Sequence, residues 1–271
     1  MERVVSGALA WIAIALGVIE GVTEFVPVSS TGHLILAGGW LAFPEEKAAA
    51  FEIFIQLGAV FAVVWYYRAK ILEVARGVLA ERNAQLFVAR LLVAFLPAAV
   101  VGLLFHKWIV RVLFGPLPVA VGLAVGGVLL LAIDRPGRPP ARTLAVDDVG
   151  WGQAFGIGCA QVASLWPGFS RSGATIIGAL VAGLSRPAAL EFSFFLAIPT
   201  LGAASVFALW EARHELHAAD VPIFALGLVT SFVVSLAVIA GLLHYVREHA
   251  LRPFGWYRIA LAILIVLLAA R

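Results

Sequence analysis

The stretch Gly17 to Leu36, GVIEGVTEFVPVSSTGHLIL, sets three ionisable side chains, Glu20, Glu24 and His33, inside an apolar run. An ionisable group at bilayer depth costs at least ~2.5 kcal/mol on insertion scales, so three in so short a stretch mark a functional place. Pro27 and the small polar run Ser29-Ser30-Thr31-Gly32 interrupt the helix there. Irregular backbone at membrane depth persists only where it is buried in protein or lines a watery cavity, so the break and the charges point to the same site.

The composition agrees with that depth. Of 271 residues, 62% are hydrophobic and 13% charged, against roughly 25% charged in ordinary soluble domains. The chain is therefore a polytopic membrane protein whose useful unit of length is the apolar segment of about 20 residues. The first segment carries the glutamates and lacks a small-residue cleavage site before them, so it is expected to stay in the mature chain. The lone Cys159 excludes an intramolecular disulfide and a cysteine-rich metal site. The net charge of +3 comes mostly from loop arginines, which speaks for membrane orientation and against a nucleic-acid partner.

Apolar segments run from Val4 to Glu24, Thr31 to Phe43, Ala48 to Tyr67, Gln85 to His106 and Leu117 to Ile133. The plan then restarts, from Trp151 to Leu165, Ser172 to Leu184, Ala188 to Trp210, Val221 to Tyr245 and Gly255 to Ala270. Sliding the chain on itself pairs Gly17, Glu20, Ser29, Ser30, Thr31 and Gly32 with Gly158, Gln161, Ser170, Arg171, Ser172 and Gly173. This ordered match predicts an internal duplication, about 1–140 and 141–271, within one membrane domain spanning 1–271.

Basic residues set the orientation. Arg68, Lys70, Arg76, Arg82 and Arg90, then Arg135, Arg138 and Arg142, then Arg247, Arg252 and Arg258 fall in three connections expected to be cytoplasmic. Lys47, Lys107, Arg111 and Arg213, the last beside Glu211, Glu215 and Asp220, are expected outside. Both assignments hold only if the first two segments of each half form a re-entrant hairpin that enters and leaves on one side. The predicted fold is thus all-α: two inverted repeats of five helical segments, with broken-helix hairpins meeting near the midplane around a polar site.

Glu20 and Glu24, four apart, share one helix face. Such a pair holds a divalent cation, for which oxygen ligands suit Mg²⁺ or Ca²⁺, or shares one proton. Ser29, Ser30 and Thr31 are helix-cap hydroxyls or working groups. His33, three residues after Ser30, makes a nucleophile-and-base pattern with it. In the second half, Pro167-Gly168-Phe169-Ser170-Arg171-Ser172-Gly173 again precedes a helix. Arginine presents a fork suited to phosphate, and a glycine-rich turn opening a helix offers amide donors to the same anion. Glu52 and Gln56 repeat the four-residue spacing in the third segment and are candidates for the same site, with Glu191 and Ser193 in the equivalent segment. His106, His214, His217, His244 and His249 fall at segment ends or in loops and read as interfacial, as do several of the tryptophans.

Two of these motifs, EGVTEFVPVSSTGHL at Glu20 to Leu34 and PGFSRSGAT at Pro167 to Thr175, resemble the signatures of the undecaprenyl-diphosphate phosphatases, the bacitracin-resistance family. FEIFIQLGA at Phe51 to Ala59 is similar to a third family stretch, and the likeness in segment order spans nearly the whole chain. The resemblance implies a multi-pass enzyme of the bacterial plasma membrane that removes the terminal phosphate of undecaprenyl diphosphate, recycling the lipid carrier of cell-wall synthesis. It also implies a divalent cation, a site open to the outer, periplasmic side, and a homodimer. By position it implies catalytic roles for Glu20, Glu24, Ser30, His33 and Arg171. Around them, Ser29, Thr31, Gly168, Ser170, Ser172, Thr175, Glu52 and Gln56 are the expected substrate-binding residues. Trp166 is larger than the aliphatic residue expected before Pro167, a departure that touches local packing. The nucleophile is Ser30 or water. A transporter or flippase of a phosphorylated lipid or organic anion is the other function this architecture supports.

Overall fold

The computed structural model describes residues 2–41, 43–211, 213 and 217–270; His214 and Glu215 lie outside them. Eleven α-helices and no strand form among the described residues. They are α1 (Glu2–Thr23), α2 (Ser30–Leu41), α3 (Glu45–Tyr66), α4 (Arg68–Gly77), α5 (Arg82–Leu113) and α6 (Pro116–Ile133), then α7 (Trp151–Gln161), α8 (Arg171–Val181), α9 (Arg186–Glu211), α10 (Val221–Glu248) and α11 (Arg252–Ala269). Six of them, α3, α5, α6, α9, α10 and α11, contain stretches long and apolar enough to cross a bilayer. The chain is a multi-pass membrane protein.

The short helices flank two breaks. At 1.5 Å per residue, the 11 residues of α7 and of α8 rise only about 16 Å, half of the hydrocarbon core. Between α1 and α2 the chain turns at Pro27, which lacks an amide proton, and Ser29 takes a positive φ of 72°. Between α7 and α8 it turns at Pro167 and Gly168, with Gly168 at φ 89° and Ser170 at φ 75°. Gly168 could not be larger, because a Cβ there would run into the Val119 carbonyl of α6.

Three arrangements hold these breaks in place. Helix α1 lies against α10 along Gly17 and Gly21, where added Cβ atoms would come within 2.7 Å of the Gly227 carbonyl and 2.9 Å of the Ser231 carbonyl. This is the small-residue spacing that lets membrane helices approach backbone to backbone. Helix α6 packs on α11 around Val119, Ala120, Leu123, Leu261, Ala262 and Ile265. At the other end of α6 the fully buried Asp134 accepts from Arg186 Nε at 2.9 and 3.0 Å, from Arg186 Nη2 at 2.8 Å and from the Leu251 amide at 2.6 Å. One carboxylate therefore ties the end of α6 to the starts of α9 and α11.

Two expectations need correction. The connection Arg68–Arg90 contains α4, whose Ile71 and Val74 pack on the core while Lys70 reaches Asp147 at 3.1 Å. Charges on its outer face hid this short amphipathic helix. Arg258 is not a loop arginine either: it sits inside α11 at 0% exposure.

Candidate functional site: a cavity between the two breaks

Helix α1 carries Glu24 just past its last turn, and α8 begins at Arg171, so the two breaks bring an acid and a base together. Arg171 Nη2 donates to Glu24 Oε1 at 2.8 Å, with both side chains at least nine-tenths buried. Arg171 Nη1 donates to the Ser193 carbonyl at 3.0 Å and to Ser193 Oγ at 3.2 Å, and the guanidinium lies over the Phe25 ring. Its Nε has no partner among the described residues. Ser30 Oγ donates to the other carboxylate oxygen, Glu24 Oε2, at 2.7 Å. Glu24 is thus shared between a cation and a hydroxyl.

The two serine corners are built alike. Ser29 Oγ accepts from the Gly32 amide at 3.4 Å, and Ser170 Oγ from the Gly173 amide at 3.1 Å. Each serine caps its helix from a strained, left-handed backbone that costs about 1–3 kcal/mol. Ser172 joins the breaks by donating to the Val26 carbonyl at 3.2 Å, and Trp166 donates its indole proton to the Pro118 carbonyl at 2.9 Å. The large Trp166 therefore anchors the second break to α6.

These groups form the polar end of a cavity of about 530 Å³. Glu24, Ser29, Ser30, Thr31, Gln56, Gly168, Ser170 and Arg171 line it, together with Thr200. From there it continues as an apolar track between α5 and α9, past Phe95, Leu103 and Phe207 to His106, Phe114 and Glu211. The track ends where α5 and α9 end, away from the arginine-rich connection that leads into α5 and from the start of α9, where Arg142 N donates to the Gly183 carbonyl.

Not every predicted site residue reaches the wall. Glu20 is buried one turn below Glu24, and its Oε2 lacks a partner among the described residues. His33 does not line the cavity: it reaches back to the Ser29 carbonyl at 2.7 Å through Nδ1 and meets the Tyr257 hydroxyl at 2.6 Å through Nε2. A carbonyl only accepts, so Nδ1 carries the proton and Nε2 accepts from Tyr257 in the neutral ring. Ser30 accordingly pairs with Glu24 and not with His33. Ser172, Thr175 and Glu52 also stand behind the wall. Thr175 Oγ1 meets Ser193 Oγ at 2.6 Å and so supports the group that holds Arg171.

Sequence reasoning missed Tyr257 and misplaced Arg258. The Arg258 guanidinium donates to Gly122, Leu123, Pro27, Gly168 and Phe169 carbonyls, reaching both breaks. The available signal was a charge inside an apolar segment, the same one that picked out Glu20.

For a divalent cation the donor set is hard oxygen. Glu20 brings a buried, unpartnered carboxylate oxygen and Glu24 a second carboxylate one turn away, while no cluster of three or more acidic, histidine or cysteine side chains arises among the described residues. Two carboxylates completed by phosphate oxygens are the usual surroundings of Mg²⁺. The donor chemistry fits such an ion, which would share Glu24 with Arg171 and Ser30.

The sequence matches the family described as bacitracin resistance protein BacA over residues 13–264. It is 51% identical to a protein named undecaprenyl-diphosphatase from Nitrosomonas eutropha over 257 residues, 95% of this chain and 93% of that one. It is 48% identical to the protein of that name from Aromatoleum aromaticum, with 94% and 93% of the two chains covered. With the Pseudomonas aeruginosa protein of the same name the identity is 49%, over 95% and 92%.

Proposed function

The chain belongs to the bacitracin resistance protein BacA family, and from that premise we infer that it is an undecaprenyl-diphosphate phosphatase. It hydrolyses the terminal phosphoanhydride of the lipid and returns undecaprenyl phosphate to cell-wall synthesis, an activity that fits the resistance in the family name. The observation that carries this reading is the bonded set Arg171–Glu24–Ser30 at the polar end of a cavity whose other walls are apolar. A diphosphate on a long hydrocarbon needs both ends.

Within the site, Arg171 binds the diphosphate, with Ser29, Thr31, Gly168, Ser170 and Gln56 around it. Ser30 Oγ attacks the terminal phosphorus, the bond to the lipid phosphate breaks, and Glu24 receives the serine proton. Water then releases the phosphate from Ser30; the competing course has water attack directly while Ser30 orients a phosphate oxygen. His33 moves a proton in the second step, which requires its bond to Tyr257 to open. Ser172, Thr175 and Glu52 keep the wall residues in place. Glu20 and Glu24 hold a divalent cation, Mg²⁺ or Ca²⁺, which supplies positive charge to the phosphate oxygens when bound.

The whole chain forms one domain of two inverted repeats, about 1–140 and 141–271, with α1–α2 and α7–α8 as re-entrant hairpins. Support comes from the like corners at Ser29 and Ser170, each followed by three long apolar helices. The cavity opens to the periplasmic face of the bacterial inner membrane, since its mouth lies opposite the arginine-rich connections. A homodimer is the proposed assembly, and no nucleic acid takes part.

Purified protein in detergent, given undecaprenyl diphosphate, tests the reading. Detergent leaves no second compartment, so a phosphatase releases phosphate there while a transporter releases none.

A further inference from the structure

Arg258 has no part in the chemistry above, although a buried charge satisfied by carbonyls instead of a carboxylate is costly to keep. Its Nη2 donates to the Phe169 carbonyl at 2.5 Å and to the Gly168 carbonyl at 3.3 Å, in the second break. Nη1 reaches the Pro27 carbonyl of the first break at 3.3 Å, while Nε and Nη2 reach Leu123 and Gly122 on α6 at 3.2 and 3.3 Å. A trans peptide holds its N–H on the side opposite its carbonyl. Drawing the Phe169 carbonyl to the guanidinium therefore turns the Ser170 amide away from Arg258, and Gly168, Ser170 and Arg171 line the cavity. The neighbouring amides are spent: Phe169 N donates to Trp166 O at 3.0 Å, and Gly173 N to Ser170 Oγ. The Ser170 amide has no partner among the described residues. On the same wall, the Nε of the 8% exposed Arg171 side chain is also without one.

We propose that Arg258 is a positioning residue for phosphoryl transfer, which fixes the Phe169–Ser170 peptide so that the Ser170 amide, beside Arg171, donates to the transferred phosphoryl group. The inference rests on the reading of this cavity as the diphosphate site. A backbone donor held in advance acts most on charge that grows in the transition state, so its loss lowers kcat more than it raises KM.

Two substitutions disturb the arrangement differently. Arg258→Lys keeps the charge but cannot span carbonyls on three segments. Gly126→Ala keeps the arginine but places a methyl group where Arg258 Nη2 lies. Ile265→Ala thins the same α6–α11 packing away from the breaks and serves as the stability control. Activity on undecaprenyl diphosphate and the melting temperature are measured for all three in detergent. Arg258→Lys and Gly126→Ala are expected to lower kcat by about 10–100-fold with KM within ~3-fold, while Ile265→Ala loses melting temperature and keeps kcat. Wild-type kcat in both test variants, or kcat falling in step with melting temperature across all three, overturns the proposal. If Arg258→Lys does not fold, Gly126→Ala decides by the same criteria. Failure of the diphosphate reading itself would appear separately, as wild-type protein that releases no phosphate.

Discussion

Ser29 and Ser170 hold the same backbone corner in the two halves of the chain, at φ 72° and 75°, each accepting a hydrogen bond from the amide three residues on. Side chains other than glycine pay for that conformation, and here the payment places Ser30 and Arg171 at the first position of a helix that opens on the cavity.

The positive φ of the corner adds to the ordinary preference for glycine over alanine at a helix cap. Ser170→Gly loses the cap but relieves the positive φ and should stay within a few tenths of a kcal/mol of wild type. Ser170→Ala loses the cap and keeps the strain, so it should unfold about 1–2 kcal/mol more easily. Melting curves in detergent check this. A Ser170→Ala variant more stable than Ser170→Gly would mean that the corner is not strained.

Asp134 supplies a second stability prediction. Removing one partner of a buried pair leaves the other uncompensated, so Arg186→Ala, which strands the fully buried Asp134 with only the Leu251 amide, should cost about 3–5 kcal/mol. Asp134→Ala should cost less, because the Arg186 side chain it leaves unpaired is 30% exposed and water can solvate its charge. Urea titration of the solubilised protein distinguishes the two.

The cation is tested by its removal. Chelator in excess should abolish phosphate release, and Mg²⁺ or Ca²⁺ should restore it, with Glu20→Gln shifting the concentration needed upward. Full activity in excess chelator would leave one proton shared by Glu20 and Glu24 as the account of the pair.

Glu24 and Ser30, joined at 2.7 Å, should behave as one unit. Glu24→Gln, Ser30→Ala and the double variant are expected to fall to a similar residual rate, because groups acting in one step are strongly non-additive. Losses that multiply would separate them. If Ser30→Ala keeps most of its turnover while His33→Ala loses nearly all, water is the attacking group and Ser30 only orients an oxygen. Tyr257→Phe, which frees His33 Nε2, should then leave activity intact or raise it.

Much of this was readable from the chain alone, because a bilayer permits few solutions. Apolar length gave the segments, and most helices begin and end within a few residues of them; α5 instead runs on from His106 to Leu113, so Lys107 and Arg111, expected in an outer connection, lie in its last turns. The doubled motif gave the two breaks, since Pro27 and Pro167 with their small polar followers have little choice but to interrupt a helix. What stayed hidden depends on which face of a helix points where. His33 could be placed three residues from Ser30, but its turn toward Tyr257 is decided by α11, which lies far away in sequence. Arg258 was counted with its neighbours Arg247 and Arg252 as a loop charge, and only the packing of α6 against α11 shows where its guanidinium goes. Helix α4 escaped because charge at helical spacing looks the same as a solvated loop until Ile71 and Val74 find the core.

The central claim is that the cavity between the two breaks is where the phosphoanhydride is cut. The most direct measurement follows undecaprenyl diphosphate labelled at its terminal phosphorus through purified wild-type protein and Arg171→Lys in detergent. Lysine keeps the charge but cannot bond Ser193 and Glu24 together as the fork does, and each lost charged hydrogen bond is worth about 1.5–3 kcal/mol. The account predicts that wild type converts the label to inorganic phosphate and that the correctly folded variant does so about 10–100-fold more slowly. Label that stays on the lipid with wild type, or a variant that matches wild type, would contradict it.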